Sequence, residues 1–326
     1  MIETKKPLSE AELARLERLE RSKRNLRGRR APAVLPSRLA RAAAFSPKAR
    51  GLSDDASMVR VFAVRPWAVV EVRGRELGTR HRDALISLFR LRARRFEVIG
   101  SDGKVASAVY RTETTWRDML LASGVRPHVN NLLVALRVLD ELRSVTLRVF
   151  MSSWSDYEAA VAKGRLASAG WSDGVIGAIE WDGVSLDSKV TATYGEYVRM
   201  AFETRHLVSV NADVYFRCKT DYAKAWWPHI DSQPDHEWIA VETLAELVGR
   251  DHRAEDGKKR SRFREDVQRA MDDLVRAGGL SGWACEQVGQ GRAKTYRYRY
   301  THALPRQGQL EPPIAPPPAV MQGSGI

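Results

Sequence analysis

The sequence predicts an α+β fold of two tandem winged-helix units, with a disordered basic N-terminal arm before them and a disordered proline-rich tail after them. Three observations carry this prediction. A 3.6-residue apolar repeat near the C-terminus stops at a double glycine and runs into a strand–turn–strand stretch. The same order of elements occurs once more upstream. Positive charge is gathered in two places instead of being spread along the chain.

The downstream copy is the clearer one. "VNADVYFRCKTDYAKAWWPHIDSQ" (Val210–Gln233) starts at an asparagine cap and ends near Pro228, which predicts a first helix. "EWIAVETLAELVG" (Glu237–Gly249) reads as a short strand followed by a short helix, with Leu244, Leu247 and Val248 inward and Gly249 as terminator. In the third helix Phe263, Val267, Ala270, Met271 and Leu274 recur at helical spacing, and Gly278-Gly279 ends it. "LSGWACEQVGQGRAKTYRYRY" then gives two strands around a Gly-Gln-Gly turn.

The upstream copy opens with "VRVFAVRPWAVVEVRG" (Val59–Gly74), two strands parted by Arg65-Pro66. Helices are predicted over Arg80–Arg95, over the second part of Ser107–Gly124, and over Arg126–Val145. "TLRVFMSS" and "VIGAIEW" are the expected wing strands, with a long polar insert, Ser152–Gly174, between them. The two third helices match at an offset of 135: Leu132 with Val267, Ala135 with Ala270, Leu136 with Met271, Leu139 with Leu274. Four segments follow: an arm over 1–56, which holds one short helix, an N-terminal unit over 57–186, a C-terminal unit over 187–303, and a tail over 304–326. The polar stretch Ser185–Lys189 is the expected protease-sensitive boundary between the units.

Net charge is +13, and residues 1–50 hold 14 Lys/Arg against 5 Asp/Glu, while residues 258–300 hold 11 against 5. Such local basicity points to a polyanionic partner, and double-stranded DNA suits the fold, because a winged helix lays its third helix in the major groove. The basic start of the downstream third helix (Lys258, Lys259, Arg260, Arg262, Arg264) is expected on phosphates and base edges. Ser261, Arg262, Glu265, Gln268 and Arg269 turn outward as candidate readers, since arginine pairs with guanine and glutamine with adenine. Arg292, Lys294, Arg297 and Arg299 surround the wing turn. They alternate with tyrosines that serve either as core or as a stacking platform. Upstream, Arg126, His128, Asn130 and Asn131 are the polar candidates, and the two asparagines suit either base contact or helix capping.

Other chemistry finds little support. Cys218 and Cys285 form no Cys-x-x-Cys pair, so neither zinc nor another cofactor is expected, and a reduced, cytoplasmic compartment is. No apolar run is long enough for a membrane span. "GKK" at 257–259 lacks the glycine and the Ser/Thr of a phosphate loop. No two histidines lie two residues apart, so the paired-histidine site of metal-dependent nickases is missing, and Tyr222 alone makes no nucleophile. The arginine, histidine and tyrosine series of a tyrosine recombinase is not found. An enzyme is not expected.

"HLVSVNADVYFRCKTDYAKAWWPHIDSQ", "IAVETLAELVGRD" and "RSRFREDVQRAMDDLVRAGGL" together resemble the C-terminal winged helix of plasmid replication initiators of theta-replicating Gram-negative plasmids. "VEVRGRELGTRHRDALISLF", "WRDMLLASG" and "NNLLVALRVLDEL" resemble their other winged helix, so the likeness covers about 57–302. The resemblance implies binding to iteron repeats at a plasmid origin, help in opening adjacent AT-rich DNA, and recruitment of the host initiator and helicase. It also implies repression of the protein's own promoter as a homodimer and a place in the cytoplasm with plasmid and nucleoid. The insert over Ser152–Gly174 and the basic arm depart from the pattern. A transcriptional regulator of the same fold, binding operator DNA, is the alternative.

Overall fold

The computed structural model describes residues 32–303, apart from 42, 65–67, 100–104, 166–169, 234 and 290–293. The N-terminal stretch 1–31, with the short helix expected there, and the tail from 304 lie outside the described residues.

The described chain opens with strand β1 (Ala33–Pro36) and helix α1 (Ser37–Arg41). The first half continues with β2 (Val59–Val64), β3 (Ala68–Arg73), α2 (Thr79–Arg90), β4 (Arg94–Ile99), β5 (Val105–Thr115), α3 (Trp116–Ala122) and α4 (Val129–Arg143). After these come β6 (Thr146–Phe150), α5 (Trp154–Ala162), β7 (Gly170–Gly174), β8 (Ile176–Trp181), β9 (Lys189–Tyr194) and α6 (Glu196–Glu203). The second half holds β10 (Leu207–Val210), α7 (Ala212–Arg217), α8 (Asp221–Asp231), β11 (Trp238–Ala240), α9 (Val241–Glu246), α10 (Gly257–Arg276), β12 (Leu280–Val288) and β13 (Thr295–His302). A mixed α/β order of four helices and a β-hairpin is plain in the second half, where β11 joins the hairpin as a third antiparallel strand.

Several expectations are corrected. Residues 33–50 are not an arm. β1 pairs antiparallel with β10, and Leu35, Leu39 and Phe45 are buried, because β10 would otherwise be left without a strand partner. The upstream first helix stops at Arg90, since Arg92 takes a positive φ of 70° and the next residues pair as β4 with β5. Its downstream counterpart is two helices, α7 and α8, and Pro228 sits inside α8. The wing partner of β6 is β7, not 176–181. Gly170 allows that approach, because a Cβ there would stand 2.2 Å from the Val149 carbonyl oxygen. The insert thus supplies a strand and also helix α5, whose Tyr157 is buried and donates to Glu71 at 2.6 Å.

The unit boundary also moves. β8 and β9 form a hairpin in the sheet β4-β5-β9-β8, so Lys189–Tyr194 belongs to the first half. The stretch 182–188 is that hairpin's turn, closed by hydrogen bonds of the Ser185 amide and hydroxyl with Ser188 Oγ, and not a linker. The two halves share one apolar core, running from Leu88, Phe89 and Trp116 to Trp226, Trp227 and Phe263. Polar contacts cross the junction. Arg90 meets Asp213 at 2.6 Å, and Asp83 accepts from both Tyr215 and Lys224 at 2.8 Å.

Candidate nucleic-acid interface

Helix α10 is built to present one face to the core and the other to solvent. Phe263, Val267, Ala270, Met271 and Leu274 are fully buried. Asp256 caps the start, its Oδ1 accepting from the Lys259 amide at 2.8 Å. Phe263 lies edge-on to Tyr222 and Trp226, and the Arg250 guanidinium stands 4.5 Å from its ring centroid. Arg250 also pairs with Glu255 at 2.8 Å and donates to the Tyr222 hydroxyl, which fixes the loop leading into the helix.

A second anchor lies farther along. Asp273 is buried and accepts from the Lys219 and Thr220 amides at 2.7 and 2.6 Å, and from Arg276. Burial alone would raise its carboxyl, but these bonds outweigh it and hold the group below the ordinary carboxylate range. The anion therefore ties α10 to the start of α8. Asp273 is consequently part of the scaffold, whereas its neighbour Asp272 is exposed and accepts from the Trp283 ring nitrogen at 2.8 Å.

With these anchors in place, Lys258, Lys259, Arg260, Ser261, Arg262, Glu265, Gln268 and Arg269 are all exposed. Two of them already have partners on the helix: Lys259 lies 3.5 Å from Asp256, and Arg269 pairs with Asp266. Arg264 differs from the others. It is half-buried, with its guanidinium 4.4 Å from the Tyr296 ring centroid, and so joins helix to wing.

In the wing, Tyr298 and Tyr300 are buried, so the aromatic side of β13 is core. Arg297 lies 3.9 Å over the ring of Trp238, and Arg299 pairs with Glu286 at 2.8 Å. Both sit on the outer face of the three-stranded sheet and are engaged there. Lys294 is exposed, and Arg292 lies outside the described residues. Trp238 is an exposed aromatic next to this cationic strand that the sequence reading did not single out; its place in an alternating strand pattern was the available signal.

The upstream candidates are placed differently. His128, not either asparagine, caps α4, its Nδ1 accepting from the Asn130 amide at 3.2 Å. The Asn131 amide donates to the Arg126 carbonyl at 2.9 Å, which leaves Arg126 and Asn130 as exposed polar groups. Glu141 anchors this helix through Arg75 and His81, each at 2.8 Å. Burial pushes the His81 imidazole below its ordinary value despite that carboxylate. The neutral ring accepts from the Gly78 amide at Nδ1 and donates to Glu141 at Nε2.

Among the described residues no cluster of His, Cys, Asp and Glu could hold a metal ion, and no helix is long and apolar enough to cross a membrane. No protein-family model matches the chain, and no curated protein matches its sequence. Solved structures similar to it include domains 2 and 3 of RctB, at 12% identity and a TM-score of 0.49, covering 81% of this chain and 96% of that one. Another is the Pi initiator protein in complex with iteron DNA, at 12% identity and a TM-score of 0.42, covering 69% of this chain and 93% of that one.

Proposed function

We propose that this chain binds duplex DNA sequence-specifically and acts as a plasmid replication initiator on repeated sites at an origin. The observation that carries the reading is α10. Four cationic side chains stand exposed on its first turns, a row of polar side chains continues along the outward face, and a fully buried face holds the helix in place. A helix N-terminus adds partial positive charge and free amides at that end. The arrangement suits phosphates on Lys258, Lys259 and Arg260, and base edges on Arg262, Gln268 and Arg269.

A shared core and the ion pairs across the junction hold two third helices in one body, which favours a long asymmetric site over a palindrome. That feature prefers an initiator to a dimeric regulator with one reader per chain. In this reading two winged-helix units act in tandem without cleaving DNA, in the cytoplasm, and hand the opened origin to the host initiator and helicase. A homodimer on the chain's own promoter fits the same surface.

The test is footprinting on DNA flanking the gene, with permanganate reactivity of the adjacent AT-rich segment as a second readout. Protected direct repeats and protein-dependent reactivity are expected. Protection of a single operator without any opening would transfer the reading to a regulator. Strand nicking would overturn the non-enzymatic role.

A further inference from the structure

The two third helices are alike inside and unlike outside. At the offset of 135, buried Leu132 and Leu139 of α4 take the places of Val267 and Leu274 of α10. On the outward side Leu133 stands where α10 has Gln268, and Val134 where it has Arg269. Leu133 is 50% exposed, Val134 44% and Val129 48%. Large apolar groups therefore meet solvent at the positions that carry polar candidate readers in the other helix.

Cations frame this apolar centre. Asn130, Leu133 and Arg137 follow at i, i+3 and i+7 and share one stripe. Beside Val134 opens a cavity of about 260 Å³ whose lining includes Arg50, Arg80 and Arg137, together with Glu141, whose carboxylate is already engaged by its two anchoring partners. All three arginines are exposed, and none has an ion-pair partner among the described residues. The surface is thus apolar in the middle and positive at the flank. A major groove has the complementary layout, with phosphates along its edges and a single kind of apolar group on its floor, the thymine C5-methyl. An apolar protein partner would leave the three arginines unanswered.

We propose that α4 reads thymine methyl groups through Leu133, with Val129 and Val134 beside it. The chain then reads one segment of its site by apolar contact and the other, through α10, by hydrogen bonds. This inference rests on the duplex-binding reading above.

The experiment begins with the full chain selecting duplexes from a random pool. A selected duplex is resynthesised with deoxyuridine for thymidine, which removes the C5-methyl and leaves the hydrogen-bonding groups. Wild type is expected to bind about fourfold more weakly for each contacted methyl lost. The sensitive positions should fall in one segment, apart from that contacted by α10. Leu133→Ala, with melting as the folding control, should bind the thymidine duplex more weakly and lose most of the discrimination. Equal wild-type affinity for both duplexes would overturn the proposal, and so would undiminished uracil sensitivity in Leu133→Ala. If Leu133→Ala keeps full DNA binding but converts a dimer to a monomer in ultracentrifugation, a second copy covers this face and the proposal fails. Failure to select any duplex would remove the parent reading as well, whereas indifference to uracil alone leaves that reading standing.

Discussion

Arg262 and Lys258 lie one turn apart on the exposed side of α10, and their roles can be separated. Arg262→Ala is expected to cost about 1–3 kcal/mol on a selected site and to relax preference at one base. Lys258→Ala should weaken selected and scrambled duplexes alike. Paired titrations on both duplexes check this, and equal losses for Arg262→Ala would make it a phosphate ligand. A buried carboxylate offers a different test. Burial would raise Glu76, but Ser46, Lys48 and the Ser53 amide outweigh it and bring the group from 4.5 down to about 2. With its folded value depressed, its stabilisation is complete above pH 4.5 and is lost as pH falls toward 2. Glu76→Gln should therefore be less stable than wild type at neutral pH, with the gap closing across that window. Urea midpoints measured stepwise from pH 6 to 2 check it, and a gap independent of pH would contradict it. The motif "RGRELG" showed an acid among cations, but nothing in it showed that Ser46 and Lys48, some thirty residues away in sequence, would supply the bonds.

Helix α10 and its wing depend on a close approach at Gly279. A Cβ there would stand 2.7 Å from the Trp227 ring and from Val214 Cγ1, and both of those side chains are buried. Gly279→Ala is expected to destabilise by about 1–3 kcal/mol, because neither neighbour has room to move. Gly282→Ala, with open space at its Cβ, should fall within about 0.5 kcal/mol of wild type. Thermal melting of the pair checks the contrast. The faces of α4 and α10 were legible from periodicity, since 3.6-residue spacing depends only on local geometry. The wing partner of β6 was not. "VIGAIEW" is more apolar than "GWSDG", yet the latter pairs, because its glycine permits the approach and Ile176–Trp181 is taken up by β9.

The whole molecule should unfold as one body. Arg90 is buried and bonds both Asp213 and the Ala122 carbonyl, at 2.6 and 3.0 Å, so it joins the halves. Arg90→Ala is expected to cost roughly 3 kcal/mol, because it leaves the Ala122 carbonyl and the Asp213 carboxylate without their donor and a void where the side chain packed. Calorimetry should show a single transition for the wild type, and two resolved transitions would contradict the shared core. DNA affinity should fall steeply with salt. If Lys258, Lys259, Arg260, Arg292 and Lys294 neutralise five phosphates, the slope of log K on log salt lies near −4.5, at about −0.9 per contact. A nearly flat dependence would remove these residues from the backbone.

The sequence by itself determined the apolar faces of the third helices, the glycine stops, the downstream hairpin and the two centres of positive charge. Each of these depends on residues within one or two turns of each other. Tertiary structure decided what depends on distant partners. It drew residues 33–50 out of the expected arm, because β10 needed a neighbour and Phe45 a buried place. It assigned Lys189–Tyr194 to the first half through pairing with β5. It left Leu133 and Val134 facing solvent beside the periodic face of α4, although both are as apolar as the residues buried there. Which apolar residue is buried depends on what packs against the helix, and that contact is made by chain far away in sequence.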